Sequence, residues 1–287
     1  MPAPLLVVDT PSLLYRAFFA LPSSIRGTGG RPVNALLGTA NLVLQVVAEH
    51  QPRAVALCFG AEAAVYRKEL YEPYHAQRPE MPEELAEQWD DAKAFFEAFG
   101  WEVHHAGDLE ADDLLGSFAN AETAAGGQTL LFTGDRDMYQ CVSDSVAVLF
   151  PGGKGGPTLI DVAGVRERYG IEPSQVPDFI ALRGDPSDGL PGAKGIGEKG
   201  AAQLLREHGS LDALIDLAAQ NMNDLKPGVC RALRDQADEL RAFRDIATLR
   251  PLDIKRPPDA PLDGAAAAAA ARERGMGRLA DRLSAPA

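Results

Sequence analysis

The feature that most constrains the fold is a four-residue apolar run, Leu5-Leu6-Val7-Val8, closed by Asp9 and followed at once by a helical stretch from Pro11 to Leu21. A run this short, without polar alternation, reads as a strand buried on both faces. The pattern recurs. A long apolar helix, Asn34 to His50, passes through Gln51-Pro52 into a strand at Ala54 to Phe59. Further strands are expected at Trp101 to His105 and Gln128 to Phe132, with helices Glu83 to Phe99 and Glu110 to Ala124 between them. Strands alternating with helices predict an α/β fold: a mainly parallel central sheet with helices on both faces, which binds ligands beyond the carboxyl ends of its strands.

The organisation expected along the chain is an α/β core over residues 1–161, a helical module over 162–250 and a Pro/Ala-rich carboxyl-terminal segment over 251–287. Residues 62–82, rich in Tyr, Arg and Glu and punctuated by Pro73, Pro79 and Pro82, read as a surface excursion from the core. The seven alanines from Ala265 to Ala271 favour a peripheral helix, because alanine is the best helix former. Apolar runs fall far short of a bilayer span, so no membrane crossing is expected. The start Met1-Pro2-Ala3-Pro4 has no basic region ahead of its apolar run, and Cys58, Cys141 and Cys230 lack zinc-ligand spacing. Together these predict a cytoplasmic protein with reduced thiols.

Four acidic groups stand at the ends of elements: Asp9; Glu110, Asp112 and Asp113; Asp135 and Asp137; Asp185 and Asp188. Any one of them has a bland reading as a helix cap. Eight carboxylates gathered at one end of a sheet would repel one another unless counter-charge joined them, and Mg²⁺ or Mn²⁺ prefers such hard oxygen ligands. Two cations held close together polarise a phosphodiester and activate a water, so no side-chain nucleophile is needed. No Ser-His-Asp or Cys-His constellation is recognisable. The formal charge of −13, from 28 basic and 41 acidic residues, argues against a nucleic-acid partner only if those acids carry no metal. Bound cations reverse that argument by becoming the phosphate-binding charges.

Between Gly184 and Gly200 the chain is glycine-rich, and Gly195-Ile196-Gly197 runs directly into a helical stretch, Ala201 to His208, with Lys194 and Lys199 on either side. Such a turn exposes backbone N–H groups to a phosphate. A tight helix-helix turn is the plainer alternative. Its place directly after Asp185 and Asp188 ties phosphate binding to the acidic groups.

Taken together, Val8-Asp9 with Tyr15-Arg16, Arg67-Lys-Glu-Leu-Tyr71, Leu109-Glu-Ala-Asp-Asp113, Thr133-Gly-Asp-Arg-Asp-Met138, Gly184-Asp-Pro-Ser-Asp188 and Pro191 to Lys199 resemble the 5′ nuclease domain of bacterial DNA polymerase I and its stand-alone flap endonuclease relatives. The resemblance spans Leu5 to about Leu249. It implies a structure-specific 5′ nuclease, a flap endonuclease and 5′-3′ exonuclease acting in replication or repair, with a flexible arch and a helix-three-turn-helix module gripping duplex DNA around a K⁺ ion. It implies two or more divalent cations, with Asp9, Glu110, Asp112 and Asp113 on one position and Asp135, Asp137, Asp185 and Asp188 around the second. DNA with 5′ flaps, nicks or free 5′ ends, including RNA-primed ends, is the implied partner, bound by a monomer. Phosphate contacts are implied for Arg16, Arg67 and Arg78, for His75 in the arch, and for Lys194, Gly195, Gly197 and Lys199 in the turn. Tyr15 and Tyr74 are candidates for stacking on a base, whereas His104 and His105, adjacent on a strand, face opposite sides.

Three positions depart from the family pattern. Gly60 follows Phe59 where an Asp is usual, His75 follows Tyr74 where a Lys is usual, and Gly189 replaces an Asn. A branched-DNA-binding protein weakened in catalysis is therefore an alternative, as is an α/β phosphatase using Asp135 and Asp137.

Overall fold

The computed structural model of the protein describes residues 3–152, 156–220 and 225–285. Met1 and Pro2, and residues 221–224 in the stretch expected to be helical, lie outside the described residues. Six strands form one sheet: β1 (Leu5–Asp9), β2 (Ala54–Phe59), β3 (Glu102–His105), β4 (Thr129–Phe132), β5 (Val146–Phe150) and β6 (Thr158–Ile160), in the order β3-β2-β1-β4-β5-β6. The first five are parallel and β6 runs antiparallel to β5. β5 and β6 are additions to the strands read from the sequence.

The helices are α1 (Thr10–Ala20), α2 (Asn34–His50), α3 (Val65–Leu70), α4 (Glu83–Glu97), α5 (Ala111–Ala124), α6 (Val162–Tyr169) and α7 (Val176–Arg183). After them come α8 (Glu198–His208), α9 (Leu211–Ala219), α10 (Pro227–Asp235), α11 (Ala237–Ala247), α12 (Gly264–Glu273) and α13 (Gly277–Ser284). The last of these is also new.

All five residues of β1 are buried, and the two-residue period of a strand divides them between two cores. Leu5 and Val7 point to one face, packing with Ala56, Cys58, Leu131, Phe118 of α5 and the inner faces of α7, α9 and α11. Leu6 and Val8 point to the other, where α1, α2 and α4 cover the sheet together with α12 and α13. The alanine run is therefore packed on one side: Ala267, Ala268, Ala270 and Ala271 are buried, and Arg274 after it pairs with Asp91 of α4 at 2.5 Å.

The chain order puts β2 and β3 on one side of β1 and β4 to β6 on the other. The sheet's switch point thus lies between β1 and β4, where the connections leaving their carboxyl ends diverge and leave a crevice. Asp9 closes β1, Gly134 and Asp135 follow β4, and Gly60 follows β2. The segment 62–82 is mostly exposed but anchored to the core by buried Ala64, Arg67, Tyr74 and His75, and it consists of the single short helix α3, a series of turns, and irregular chain from Arg78 to Pro82.

Candidate metal centre and nucleic-acid interface

A cleft of about 1060 Å³ opens at the switch point, lined by Asp9, Glu110, Asp112, Asp135, Asp137, Asp185 and Asp188. Seven of the eight expected carboxylates therefore share one cavity. Each is placed by local chemistry. Asp9 caps α1 by accepting the Ser12 N–H at 3.1 Å, while its second oxygen accepts the Thr133 hydroxyl at 2.6 Å. Thr133 also accepts the Asp135 N–H, and Asp135 accepts the Asp137 N–H at 2.8 Å, so the turn after β4 holds both acids in place. Asp112 lies in the first turn of α5. Asp185 and Asp188 belong to a turn after α7, fixed by Ser187 bonding to Asp185 and by backbone pairing of Asp185 with Leu190.

Asp113 is the exception and leaves the expected ligand set. It is fully buried, with one oxygen accepting the Glu110 N–H at 3.1 Å and the other the Arg250 N–H at 2.7 Å. Adjacent helical residues point about 100° apart. Asp112 can thus face the cleft only if Asp113 turns into the helix–core junction, where it completes a capping box.

Two residues read as phosphate contacts are also placed differently. Arg67 is 3% exposed and is held by Glu110 at 2.6 Å, by Asp113 at 3.4 Å and by the Ile246 carbonyl at 3.0 Å. It belongs to the cleft wall and neutralises Glu110 there. His75 is buried at a φ of +57°, stacked on Tyr74 at 3.8 Å. Its Nδ1 donates to the Glu62 carbonyl at 3.0 Å and its Nε2 faces Asp188 Oδ1 at 3.0 Å. Such a residue braces the Asp188 turn and is shielded from a DNA backbone. Tyr74, 3% exposed, belongs to the cleft wall, its ring stacked on His75 and its hydroxyl donating to Glu110 at 3.1 Å. Tyr15 also lines the cleft, edge-on to Trp89.

Arg78 lines the cleft, its side chain 41% exposed and 3.1 Å from Asp188. Arg16 is exposed and donates to the Gly152 carbonyl at 3.0 Å. Lys194, Gly195 and Gly197 are exposed on the turn ahead of α8, anchored by buried Ile196, and Lys199 is exposed in the first turn of α8 itself. Gly195 has a φ of +80°, and no atom lies within 4 Å of where its Cβ would be, so the turn leaves its backbone open. Gly197 caps α8 without a side-chain bond, leaving the first amides of the helix for an anion.

Charge is unevenly compensated across the cleft. Asp185 pairs with Arg183 at 3.0 Å, Asp188 with His75 and Arg78, and Glu110 with Arg67. Asp9, Asp112, Asp135 and Asp137 form no ion pair among the described residues. Burial, then mutual repulsion, raises Asp112 and Asp137 well above the ordinary carboxylate range. Burial chiefly pushes Asp135 up to about 7 and raises Asp9. Burial acts on Asp188 in the same direction, but the His75 hydrogen bond and the charges of His75 and Arg78 outweigh it and hold Asp188 low.

Among the described residues, no three Asp, Glu, His or Cys side chains close on one point as a metal cage would. The donor chemistry nevertheless fits hard divalent cations. Four mutually repelling carboxylates without an ion pair call for positive charge, and an ion such as Mg²⁺ keeps several waters rather than filling its shell with protein.

Sequence reading missed Thr133, Ser12, Arg136 and Arg183. Thr133 directly follows a strand and precedes a turn, a position suited to orienting the strand-end acids. Arg136 stands exposed between Asp135 and Asp137, and Arg183 precedes Asp185 by two residues.

Gly60 has a structural reason. A Cβ there would lie 2.4 Å from the Ala111 nitrogen and 2.7 Å from the Glu110 Cα, so the absence of a side chain lets the amino end of α5 close against β2. Gly60→Asp is expected to displace that helix start, lowering stability by about 1–3 kcal/mol as overpacking does, and to reduce cleavage. Improved cleavage with an unchanged melting temperature would show that the packing at residue 60 is not limiting.

The mainly parallel sheet with a carboxylate-lined cleft at its switch point, beside a helical module presenting an open glycine-rich turn, places the chain in the class of α/β folds with an acidic cleft joined to a helical module. The chain belongs to the 5′-3′ exonuclease family. That family's N-terminal resolvase-like domain matches residues 4–170 and its C-terminal SAM fold matches residues 171–262. The DNA polymerase I of Chloroflexus aurantiacus is 42% identical over 258 residues, covering 87% of this chain and 26% of that protein. The chain thus spans about a quarter of the length of that relative. Among solved structures, T5 5′-exonuclease with divalent metal ions (zinc) bound superposes with a TM-score of 0.70 at 18% identity, over 98% of this chain and 96% of that one. The catalytic core of Rad2 in complex with DNA substrate gives 0.66 at 13% identity, over 98% and 90%. At these identities the likeness carries the fold.

Proposed function

We propose that the chain is a structure-specific 5′ nuclease, a flap endonuclease and 5′-3′ exonuclease, hydrolysing DNA at 5′ flaps, nicks and free 5′ ends, RNA-primed ends among them. The observation that carries this reading is the convergence of seven carboxylates from four separate connections on one cleft. The cofactors are two or more Mg²⁺ or Mn²⁺ ions held by Asp9, Glu110, Asp112, Asp135, Asp137, Asp185 and Asp188. Cations there would polarise the scissile phosphate and lower the pKa of a bound water. The chain's own groups do the rest. Thr133 and the α1 cap orient Asp9, Arg67 fixes Glu110, and Arg78 and Arg136 offer cationic groups at the cleft surface. Lys194, Lys199 and the open α8 amides grip the duplex backbone. For K⁺ in that turn the support is the family resemblance alone.

We assign residues 1–161 to the catalytic core, 162–250 to the DNA-gripping module and 251–287 to a strap returning over the core. The same reading places a monomer in the cytoplasm, in replication or repair. Its support is that no helix among the described residues is long and apolar enough to cross a membrane, and that Cys58, Cys141 and Cys230 are free thiols. A binding protein that has lost catalysis is not favoured, because the Gly60 departure is absorbed by packing and the carboxylates remain.

Incubation with Mn²⁺ and a 5′-labelled flap duplex, beside a phosphomonoester, tests the proposal. Cleavage at the flap junction with no release of inorganic phosphate is expected; phosphomonoester hydrolysis with an intact flap would overturn it. Lys194→Ala and Lys199→Ala should each weaken duplex affinity and flatten its log–log salt dependence by about one unit, since each phosphate contact releases about one counterion. Unchanged salt slopes in both variants would remove this turn from the DNA interface.

A further inference from the structure

We infer that in the free protein Arg183 and Arg78 keep Asp185 and Asp188 from completing a second cation position, and that the phosphates of bound DNA open it by taking over the two guanidinium groups while buried His75 goes on bracing Asp188. The inference rests on the nuclease reading above.

The two halves of the cleft differ in how their charge is met. Asp9, Asp112, Asp135 and Asp137 form no ion pair among the described residues and stand ready for a first cation. Asp185 and Asp188 are held in ion pairs, Asp188 through one of its oxygens. Arg183 donates to Asp185 at 3.0 Å and to the Gly184 carbonyl at 3.0 Å, reaches to 3.7 Å from Glu198 on α8, and stacks over Phe179 at 5.2 Å. Arg78 and His75 both meet the same oxygen of Asp188, at 3.1 Å and 3.0 Å. A guanidinium does not lose its proton in a protein, so these pairs yield only to an exchange of partners. Phosphate is the natural competitor, because it accepts the same forked hydrogen bonds as a carboxylate. Both guanidinium groups line the cleft where the scissile strand would lie, and Arg78 is half-exposed. Glu198 belongs to the first turn of α8, so contact at the glycine-rich turn and release of Arg183 share one short stretch of chain.

Linkage requires reciprocity. If DNA raises the affinity for the second cation, the cation raises the affinity for DNA by the same factor, and couplings of this kind span about 5- to 150-fold. Mn²⁺ binding is measured by electron paramagnetic resonance, with and without a flap duplex carrying phosphorothioate linkages around the junction to block cleavage. One tight Mn²⁺ is expected in the free protein and two in the DNA complex. Arg183→Met should let the second Mn²⁺ bind the free protein about tenfold more tightly and shrink the coupling to DNA, within the same range. Arg78→Gln, at a half-exposed side chain, gives the same sign, and melting curves establish that both variants fold. Two equally tight Mn²⁺ ions in the free wild-type protein, or variants with undiminished coupling, would overturn the inference while leaving the nuclease reading intact. A protein that binds no Mn²⁺, or no flap duplex, fails the nuclease reading itself, and this inference falls with it.

Discussion

Asp135→Asn is expected to lose at least about a hundredfold in flap cleavage, because even groups that merely orient a metal's ligands contribute 10- to 100-fold. The same change should stabilise the metal-free protein. Asp135 is half-buried in the cleft wall, where desolvation, together with repulsion by Asp188, Asp9 and Asp185, pushes it up to about 7. A carboxyl group raised in this way contributes stability that is fully present below its unfolded value near 4 and is lost as pH rises through about 7. In EDTA at pH 8 the ionised group therefore destabilises the fold. Removing it should raise the melting temperature by about 2–4 °C for each kcal/mol relieved. Wild type in EDTA should also gain stability from this group on acidification from pH 8 to 5.5, and Asp135→Asn should lose that share of the gain. Cleavage in Mn²⁺ at the wild-type rate would remove Asp135 from the site. A lower melting temperature in EDTA would show its charge to be compensated.

Glu122→Gln carries the largest expected loss of stability. Glu122 is 1% exposed, and both its oxygens bond to Arg53, at 2.5 and 3.1 Å, and to Arg256, at 2.8 and 3.0 Å. Arg53 in turn donates to the Pro257 carbonyl at 2.8 Å and to Asp259 at 3.0 Å. These bonds fasten the segment leading to α12 and α13 across the core. Removing one member of a buried ion pair strands the other, at about 3–5 kcal/mol, which corresponds to roughly 6–20 °C for a chain of this size. Burial alone would raise Glu122, but the hydrogen bonds and charges of Arg53 and Arg256 outweigh it and lower its pKa. Its contribution is thus present above the unfolded value and is lost as pH falls through the lower folded one. Calorimetry of wild type and variant should converge in acid and diverge toward neutrality, with cleavage at low temperature little changed. Equal melting temperatures at pH 7 would mean that the strap is held by apolar packing alone.

Arg67, His75 and Asp113 show where sequence reading stopped. Each was assigned by family resemblance: Arg67 and His75 as phosphate contacts, Asp113 as a metal ligand. What decided each was a partner far away in the chain, Ile246 for Arg67, Asp188 for His75, Arg250 for Asp113. For Asp113 a local signal did exist. It stands three residues after Glu110, the spacing of a capping box, and helical geometry forbids it from sharing a direction with Asp112.

The sequence by itself determined most of the elements, though not β5, β6 or α13, and it determined the acids. Asn34 to His50 and Ala54 to Phe59 fold over the spans read from their patterns, because apolar periodicity and end signals act within a few residues. Asp9, Asp112, Asp135 and their neighbours lie at element ends because the α/β plan leaves its connections there. Only the tertiary structure decided which of those charges are free and which are already paired. Arg183 is close in sequence to its partner Asp185, but Asp188 takes His75 and Arg78 from more than a hundred positions away, and burial sets the worth of each pairing. Local pattern carries no record of such distances; the order in which β1 to β6 pack beside one another creates them.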